Sequence, residues 1–212
     1  MESYDVSKLL GDVRGVISSL GFKSCVLVSH DWGGALAWAF ASHFPDMVDK
    51  LIVMNAPSQK PFEKMIKTHA AQRKMSWYIF FFQLPFLPEI SLKLRKFNVF
   101  NRLAEPLKHK MSEDELCAYK YTFSQPGALT PPINWYRAAL RSVATYDMNY
   151  KMPVLLVWGV KDMALHIDLV SCMEQECPQM EVKRIPDAGH FVQMDAPSEV
   201  NKVMRDWLEK TG

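Results

Sequence analysis

"SCVLVSHDWGGALAWAF", residues 24–40, runs from a short apolar stretch into a helical pattern through His30, Asp31, Trp32, Gly33 and Gly34. The run "CVLVS" (25–29) is continuous and valine-rich, as expected of a strand covered on both faces. "ALAWAFASHF" (35–44) reads as a helix that Pro45 ends. A sharp turn must join the two, and its central residue takes strained backbone angles that only small neighbours tolerate. Ser29, Gly33 and Gly34 supply those small positions, and Asp31 occupies the place that a nucleophile holds in a strand–turn–helix elbow. The helix N-terminus behind it favours a carboxylate. An N-capping aspartate is the plainer reading of Asp31, but a cap does not require two glycines at a strand end.

Outward from this stretch the pattern repeats. Val6, Leu9, Leu10, Val13, Ile17 and Leu20 fall at helical spacing, with Gly21 as a C-terminal stop. "KLIVMN" (50–55) and "PVLLVWG" (153–159) read as further buried strands, and "EVKRIP" (181–186) as a fourth. Val200, Val203, Met204, Trp207 and Leu208 share one face of a C-terminal helix. Strands alternating with helices predict an α/β fold, a parallel sheet with helices on both sides. The long segment between the second and third strands is helical in composition and dotted with prolines at 61, 85, 88, 106, 126, 131 and 132. It is too long for a loop in a compact domain. The expected division is therefore a first core part over 1–56, a helical cap or lid over 57–151 and a second core part over 152–212.

The bulk properties narrow the function classes. A chain of 212 residues with 49% apolar content has enough to build one core. Its net charge of +2 gives no whole-chain case for nucleic acid. Cys25, Cys117, Cys172 and Cys177 form no CxxC pair, so reduced thiols are expected, and with them a cytoplasmic setting or the cytosolic face of a membrane. The opening "MESYDVSKLL" lacks the apolar core of a signal peptide. The longest apolar stretch, Trp77 to Leu87, is too short and proline-broken to span a bilayer. There is no HExxH, no zinc-type cysteine spacing and no phosphate loop with its lysine, so neither a metal nor a cofactor is expected.

A carboxylate nucleophile forms an ester, and turnover needs a base to hydrolyse it and an acid to orient that base. "VWGVKD" (157–162) places Asp162 just past the third strand, and "DAGHF" (187–191) places His190 after the fourth. Sites in open parallel sheets lie at the carboxyl ends of the strands, so Asp31, Asp162 and His190 are expected on one rim. Their chain order, nucleophile then acid then histidine, is that of the α/β-hydrolase arrangement.

"HDWGG", "WG-x-K-D" and "AGHF" in the core, with "FSQPGAL…INWYRA" (123–138) in the insert, are similar to the α/β-hydrolase-fold epoxide hydrolases over nearly the whole chain. That resemblance implies two tyrosines in the cap that hold the epoxide oxygen. Tyr136 of "NWYRA" matches one; Tyr78 of "WYIFFFQLP" matches the other, with Tyr119 and Tyr121 as alternatives. It implies that Asp31 attacks a lipophilic epoxide, that a water activated by His190 releases the vicinal diol, and that Asp162 orients the histidine. The Trp32 backbone N–H would supply half of an oxyanion hole, and Trp32 and Phe191 would wall an apolar pocket. A haloalkane dehalogenase shares the Asp, Trp, Asp and His but not the tyrosine pair; a non-catalytic short isoform or fragment is the third reading.

The resemblance departs at the front. The family's first strands, and the "HG-x-P" loop carrying its second oxyanion donor, have no match here. A partial sheet is expected, with "CVLVS" as an unprotected edge, lowered activity and a chain prone to aggregate. Residues 59–110 also hold eleven Lys or Arg against three Glu, around the aromatic run "WYIFFF". Such a basic cap suits peripheral contact with an anionic membrane, although an ordinary solvated charge face over a buried cap helix is the plainer reading.

Overall fold

The computed structural model describes residues 2–104, 111–141, 146 and 148–212, with backbone alone for 102–104. Four parallel strands, β1 (Cys25–His30), β2 (Val48–Met54), β3 (Val154–Gly159) and β4 (Glu181–Ile185), form one sheet in that order. Each predicted strand is present within two residues of its expected bounds. β1 pairs with β2 alone among the described residues, from Cys25 opposite Val48 to His30 opposite Met54. Among the described residues β1 therefore lies at one side of the sheet with a single partner, as the resemblance led us to expect.

Alternation along the strands divides the core. Leu51, Val53, Leu156 and Trp158 face one layer, made by α1 (Val6–Ser19), α2 (Asp31–His43) and α10 (Asp168–Glu176). Ile52, Met54, Leu155 and Val157 face the other, made by α11 (Val192–Asp195) and α12 (Pro197–Lys210). The second layer is closed by Val200 and Trp207, with Val203, Met204 and Leu208 packed against them, the face read from the helical spacing. It does not reach the sheet edge: Val26 and Val28 of β1 stay 41% and 42% exposed. α1 stops where Gly21 adopts φ +82°, a left-handed conformation that glycine takes without strain.

α2 begins at Asp31 rather than at the predicted residue 35, because the elbow residues themselves form its first turn. Between β2 and β3 the chain makes α3 (Gln59–Thr68), α4 (Ala70–Met75), α5 (Trp77–Phe81), α6 (Leu87–Leu94), α7 (Asn98–Ala104), α8 (Glu113–Ser124) and α9 (Thr130–Ala139). The four cysteines are unpaired. No helix among the described residues is long and apolar enough to cross a membrane.

Candidate active site

Asp31 follows β1 directly and has φ 51°, a left-handed conformation rare for a non-glycine residue. Gly34, one turn into α2, explains how the helix can start so abruptly. A Cβ there would come within 2.9 Å of Val53 Cγ1 and closer still to Ala56, so only glycine lets α2 press onto β2. Gly33 faces open space, and its place in the motif has no such steric reason.

Asp162 lies in the loop after β3, and that loop is clamped against the histidine loop. A Cβ on Gly159 would sit 2.7 Å from the Ala188 carbonyl oxygen. Asp162 accepts four hydrogen bonds. Its Oδ1 takes the N–H groups of Ala164 (2.7 Å) and Leu165 (2.9 Å), while Oδ2 takes Asn55 Nδ2 (2.7 Å) and His190 Nδ1 (2.8 Å). Across the ring, His190 Nε2 lies 3.1 Å from Asp31 Oδ1. The three predicted residues thus meet in one chain of contacts. Exposure is graded along it: the Asp162 side chain is sealed, that of His190 is 11% exposed and that of Asp31 is 42% exposed, open to a cavity.

Burial disfavours a charged His190, but the hydrogen bonds and charges of Asp162 and Asp31 outweigh it and raise its pKa to about 10. Burial likewise opposes a charged Asp31. The histidine, together with the Trp32 backbone N–H, overcomes that and holds the carboxyl below its ordinary range. Both shifts favour an imidazolium facing a carboxylate. The Trp32 backbone N–H hydrogen-bonds to the Asp31 carboxyl.

A cavity of about 470 Å³ opens above Asp31, and Trp32, Trp135, Tyr78, Tyr136 and Leu165 line it. Tyr136 on α9 meets the Trp32 ring edge-on at 5.0 Å and the Tyr78 ring at 5.6 Å. The Trp32 side chain hydrogen-bonds to the Tyr136 hydroxyl. Burial first, then the charge of Asp31, pushes Tyr136 up to about 12; burial, then the neighbouring Tyr136, drives Tyr78 far above the usual phenol range. Both hydroxyls are protonated donors at neutral pH. Tyr119 and Tyr121, the alternatives to Tyr78, are exposed on α8, and Tyr119 stacks on Phe100.

Phe191 departs from its expected place. It packs edge-on to His190 at 5.1 Å and against His30 at 5.7 Å, behind the histidine, and does not line the cavity. It buttresses the ring instead of walling the substrate space.

Three residues at the site escaped the sequence reading. Asn55, fully buried at the end of β2 with φ 37°, binds Asp162 through Nδ2 and accepts from Gly159 N at 2.8 Å. Asp195 accepts from Gly189 N at 2.7 Å and so fixes the residue before His190. His30 Nε2 donates to the His190 carbonyl at 2.8 Å. A polar residue ending an apolar strand, as in "KLIVMN", was the one available hint.

The chain is similar to known proteins over nearly its whole length. Residues 2–197 match the family model described as alpha/beta hydrolase fold. The chain is 41% identical over 218 residues to epoxide hydrolase 3 of Xenopus tropicalis, covering 99% of this chain and 59% of that protein. It is 32% identical to an AB hydrolase superfamily protein of Bacillus subtilis, covering 99% and 74%. Among solved structures, a Bacillus megaterium epoxide hydrolase in complex with an inhibitor superposes with TM-score 0.85 at 30% identity, covering 98% of this chain and 77% of that one. The chain spans about three-fifths of the length of its animal relatives.

Proposed function

The chain belongs to the α/β-hydrolase fold family, and from that premise we propose that its site hydrolyses lipophilic epoxides to vicinal diols through an ester on Asp31. The observation that supports this reading is the pair of protonated tyrosines, Tyr78 and Tyr136, which line the same cavity as Asp31, the carboxylate that follows β1.

In the first step an Asp31 oxygen attacks an epoxide carbon. The new C–O bond forms as the ring C–O bond breaks, and the alkoxide takes a proton from a tyrosine hydroxyl. A phenol held neutral by burial is suited to this, because it donates without first having to be reprotonated. In the second step water adds to the ester carbonyl. His190 removes its proton, the Trp32 N–H stabilises the developing oxyanion, and the acyl C–O bond breaks; the leaving alkoxide takes that proton back from His190 and departs as the diol, and the Asp31 carboxyl proton passes to His190. Esterification removes the Asp31 charge, one of the two partners that raise His190, so the imidazolium gives up its proton to restore the tyrosine hydroxyl and the neutral ring is then the base. Asp162, fixed by four donors, holds the imidazole with Nδ1 protonated. The tyrosine pair also favours this chemistry over dehalogenation, which has no need of paired proton donors.

The test is covalent trapping. His190→Gln, incubated with a lipophilic epoxide, should accumulate an adduct on the peptide containing Asp31, read by mass spectrometry. An adduct on Asp162, or none on a folded variant, overturns the assignment.

A second element of the reading concerns where such substrates come from. Trp77, Phe80, Phe86, Leu87, Ile90 and Leu94 form an exposed apolar face on α5, α6 and the turn between them. Phe80 also lines the cavity, so this face runs into the substrate space. Lys93, Arg95 and Lys96 lie at its end, and Lys60, Lys64, Lys67, Arg73 and Lys74 stand on α3 and α4; positions 102, 108 and 110, with Glu105, lie outside the described side chains. We propose that the face docks on an anionic lipid surface, the apolar residues entering the headgroup boundary beside the cations. Flotation with anionic vesicles at low salt should recover the chain, and recovery should fall with neutral vesicles or high salt. Equal recovery in all conditions rejects it.

A further inference from the structure

Away from the catalytic rim, His69, His166 and Asp168 bring three ligand atoms within 4.8 Å of one another, the one such grouping among the described residues. His69 precedes α4 in the insert and serves as its N-cap, while His166 and Asp168 stand where the loop after β3 becomes α10. His69 Nε2 lies 3.3 Å from Asp168 Oδ2, and His166 Nδ1 lies 3.5 Å from the same oxygen. A tetrahedral ion with bonds of about 2.0–2.1 Å holds neighbouring ligand atoms about 3.3–3.4 Å apart. We propose that these three residues bind a divalent transition-metal ion of the zinc class, which ties the insert to the loop carrying Asp162.

The donor set selects the ion. Two imidazole nitrogens and one carboxylate suit zinc, nickel or copper, whereas calcium and magnesium require oxygen cages. The two sides of the site are already fixed to each other by Gln72, which is fully buried. Its Oε1 accepts from His166 N at 2.7 Å, and its Nε2 donates to the Ala164 carbonyl at 2.9 Å and to Ser76 Oγ at 2.8 Å. The ligands therefore sit on a braced junction, and an ion would find them close to their binding positions. All three side chains keep access to solvent, His69 and His166 at 30% and Asp168 at 57%, which leaves the fourth position to water.

The proton balance is simple. His69 Nδ1 accepts from Gln72 N at 3.2 Å, so the neutral ring carries its proton on Nε2, facing Asp168. An ion at Nε2 moves that proton to Nδ1 and gives up the long Gln72 contact. It likewise displaces the 3.3 Å contact from Asp168 N to His166 Nδ1. The sequence shows no zinc spacing because the ligands come from opposite sides of the insert. The consequence reaches the catalytic acid. Ala164 and Leu165, whose N–H groups hold Asp162, lie between that residue and His166, so an ion here would stiffen the segment that positions it.

Calorimetric titration of the metal-free whole chain with zinc chloride tests the proposal. One equivalent should bind, and the melting temperature should rise with it. His166→Gln and Asp168→Asn should each weaken binding at least about tenfold and abolish the rise in melting temperature. Cobalt(II) should give the intense visible bands of a tetrahedral centre in the unaltered chain and lose them in both variants. Asp168 is exposed, so Asp168→Asn should keep the fold in chelator and carries the test if His166→Gln does not. No binding by the unaltered chain, or binding that neither substitution weakens, overturns the site. Neither outcome bears on the Asp31 ester, which trapping reads separately.

Discussion

The floor and the roof of the cavity are built by different physics. The floor, at the sheet rim, fixes reactive side chains directly: Asp162 has four donors, His190 has a carboxylate at each ring nitrogen, and its carbonyl is held by His30. The roof fixes chiefly the backbone that carries its tyrosines, while the Tyr136 hydroxyl is met by the Trp32 side chain. Arg137, next to Tyr136, makes a two-pronged contact with Glu89 at 2.8 and 3.1 Å and donates to the Phe82 and Leu84 carbonyls. Gln83 joins the Ile79 and Tyr136 carbonyls at 2.9 Å each. Ring packing among Tyr78, Phe82 and Tyr136 does the rest. A proton relay tolerates no slack in its donors and acceptors, whereas hydroxyls that must follow a moving oxygen gain from positional freedom.

The floor should fail hardest. Asp31→Asn removes the nucleophile, and His190→Gln the base; each should lower turnover of an epoxide by about a thousandfold or more. Only His190→Gln should leave a stable ester. The pH dependence sharpens the point. In the free protein His190 stays charged up to about pH 10, because Asp31 and Asp162 raise it. Once Asp31 is esterified one of those charges is gone, so ester hydrolysis should switch on as pH rises through a lower value. Single-turnover measurement of the second step against pH checks this; a midpoint near 10 for hydrolysis would refute it.

Roof substitutions should separate the two chemical steps. Tyr136→Phe and Tyr78→Phe should each slow ester formation, by about a hundredfold if each acts as a proton donor, and leave hydrolysis of a preformed ester nearly unchanged. Stopped-flow Trp fluorescence, followed through Trp32 beside Tyr136, reads the first step. If Tyr78→Phe has no effect, the second donor is elsewhere, and the exposed Tyr119 and Tyr121 regain interest.

Asn55 tests whether the floor depends on residues that never touch substrate. Asn55→Ala deletes one donor from Asp162 and leaves Gly159 N without its partner. Losing a buried hydrogen bond costs about 1–3 kcal/mol, so kcat should drop about tenfold while KM barely moves. A rise in KM without loss of kcat would argue against a positioning role.

What could be read in advance follows the same division. The strands, the elbow and the order Asp31, Asp162, His190 are properties of short segments, and the parallel topology then brings their ends together. Asn55 and Asp195 were not legible, because each acts on a partner that only the crossovers bring near. Asn55 reaches Asp162 across the whole insert, and the polar residue that ends "KLIVMN" hints at a role without naming its partner. The roof was legible only through family resemblance, since periodicity cannot choose Tyr78 over Tyr119. Phe191 misled for a related reason. Adjacency to His190 suggested the pocket, yet consecutive side chains need not share a face, and this one packs behind the imidazole.

The smallest expected effect on stability lies at the open side of the floor, in β1 itself. Val26 and Val28 are exposed on an edge that pairs on one side only among the described residues. Asp31 follows the strand directly, so whatever disturbs its pairing reaches the proposed nucleophile. An apolar, valine-rich edge invites a second strand, and natural edges are blunted by lysine or proline, of which "CVLVSH" has neither. Substitution at an exposed site away from special backbone angles changes stability by no more than about 0.5 kcal/mol. Val28→Lys should therefore leave the melt almost where it was and still suppress self-association, because a charge resists burial between paired strands. Chemical denaturation measures the first, and light scattering over a concentration series measures the second. If association persists unchanged in Val28→Lys, edge pairing is not its cause, and the exposed apolar face of α5 and α6 becomes the surface to alter next.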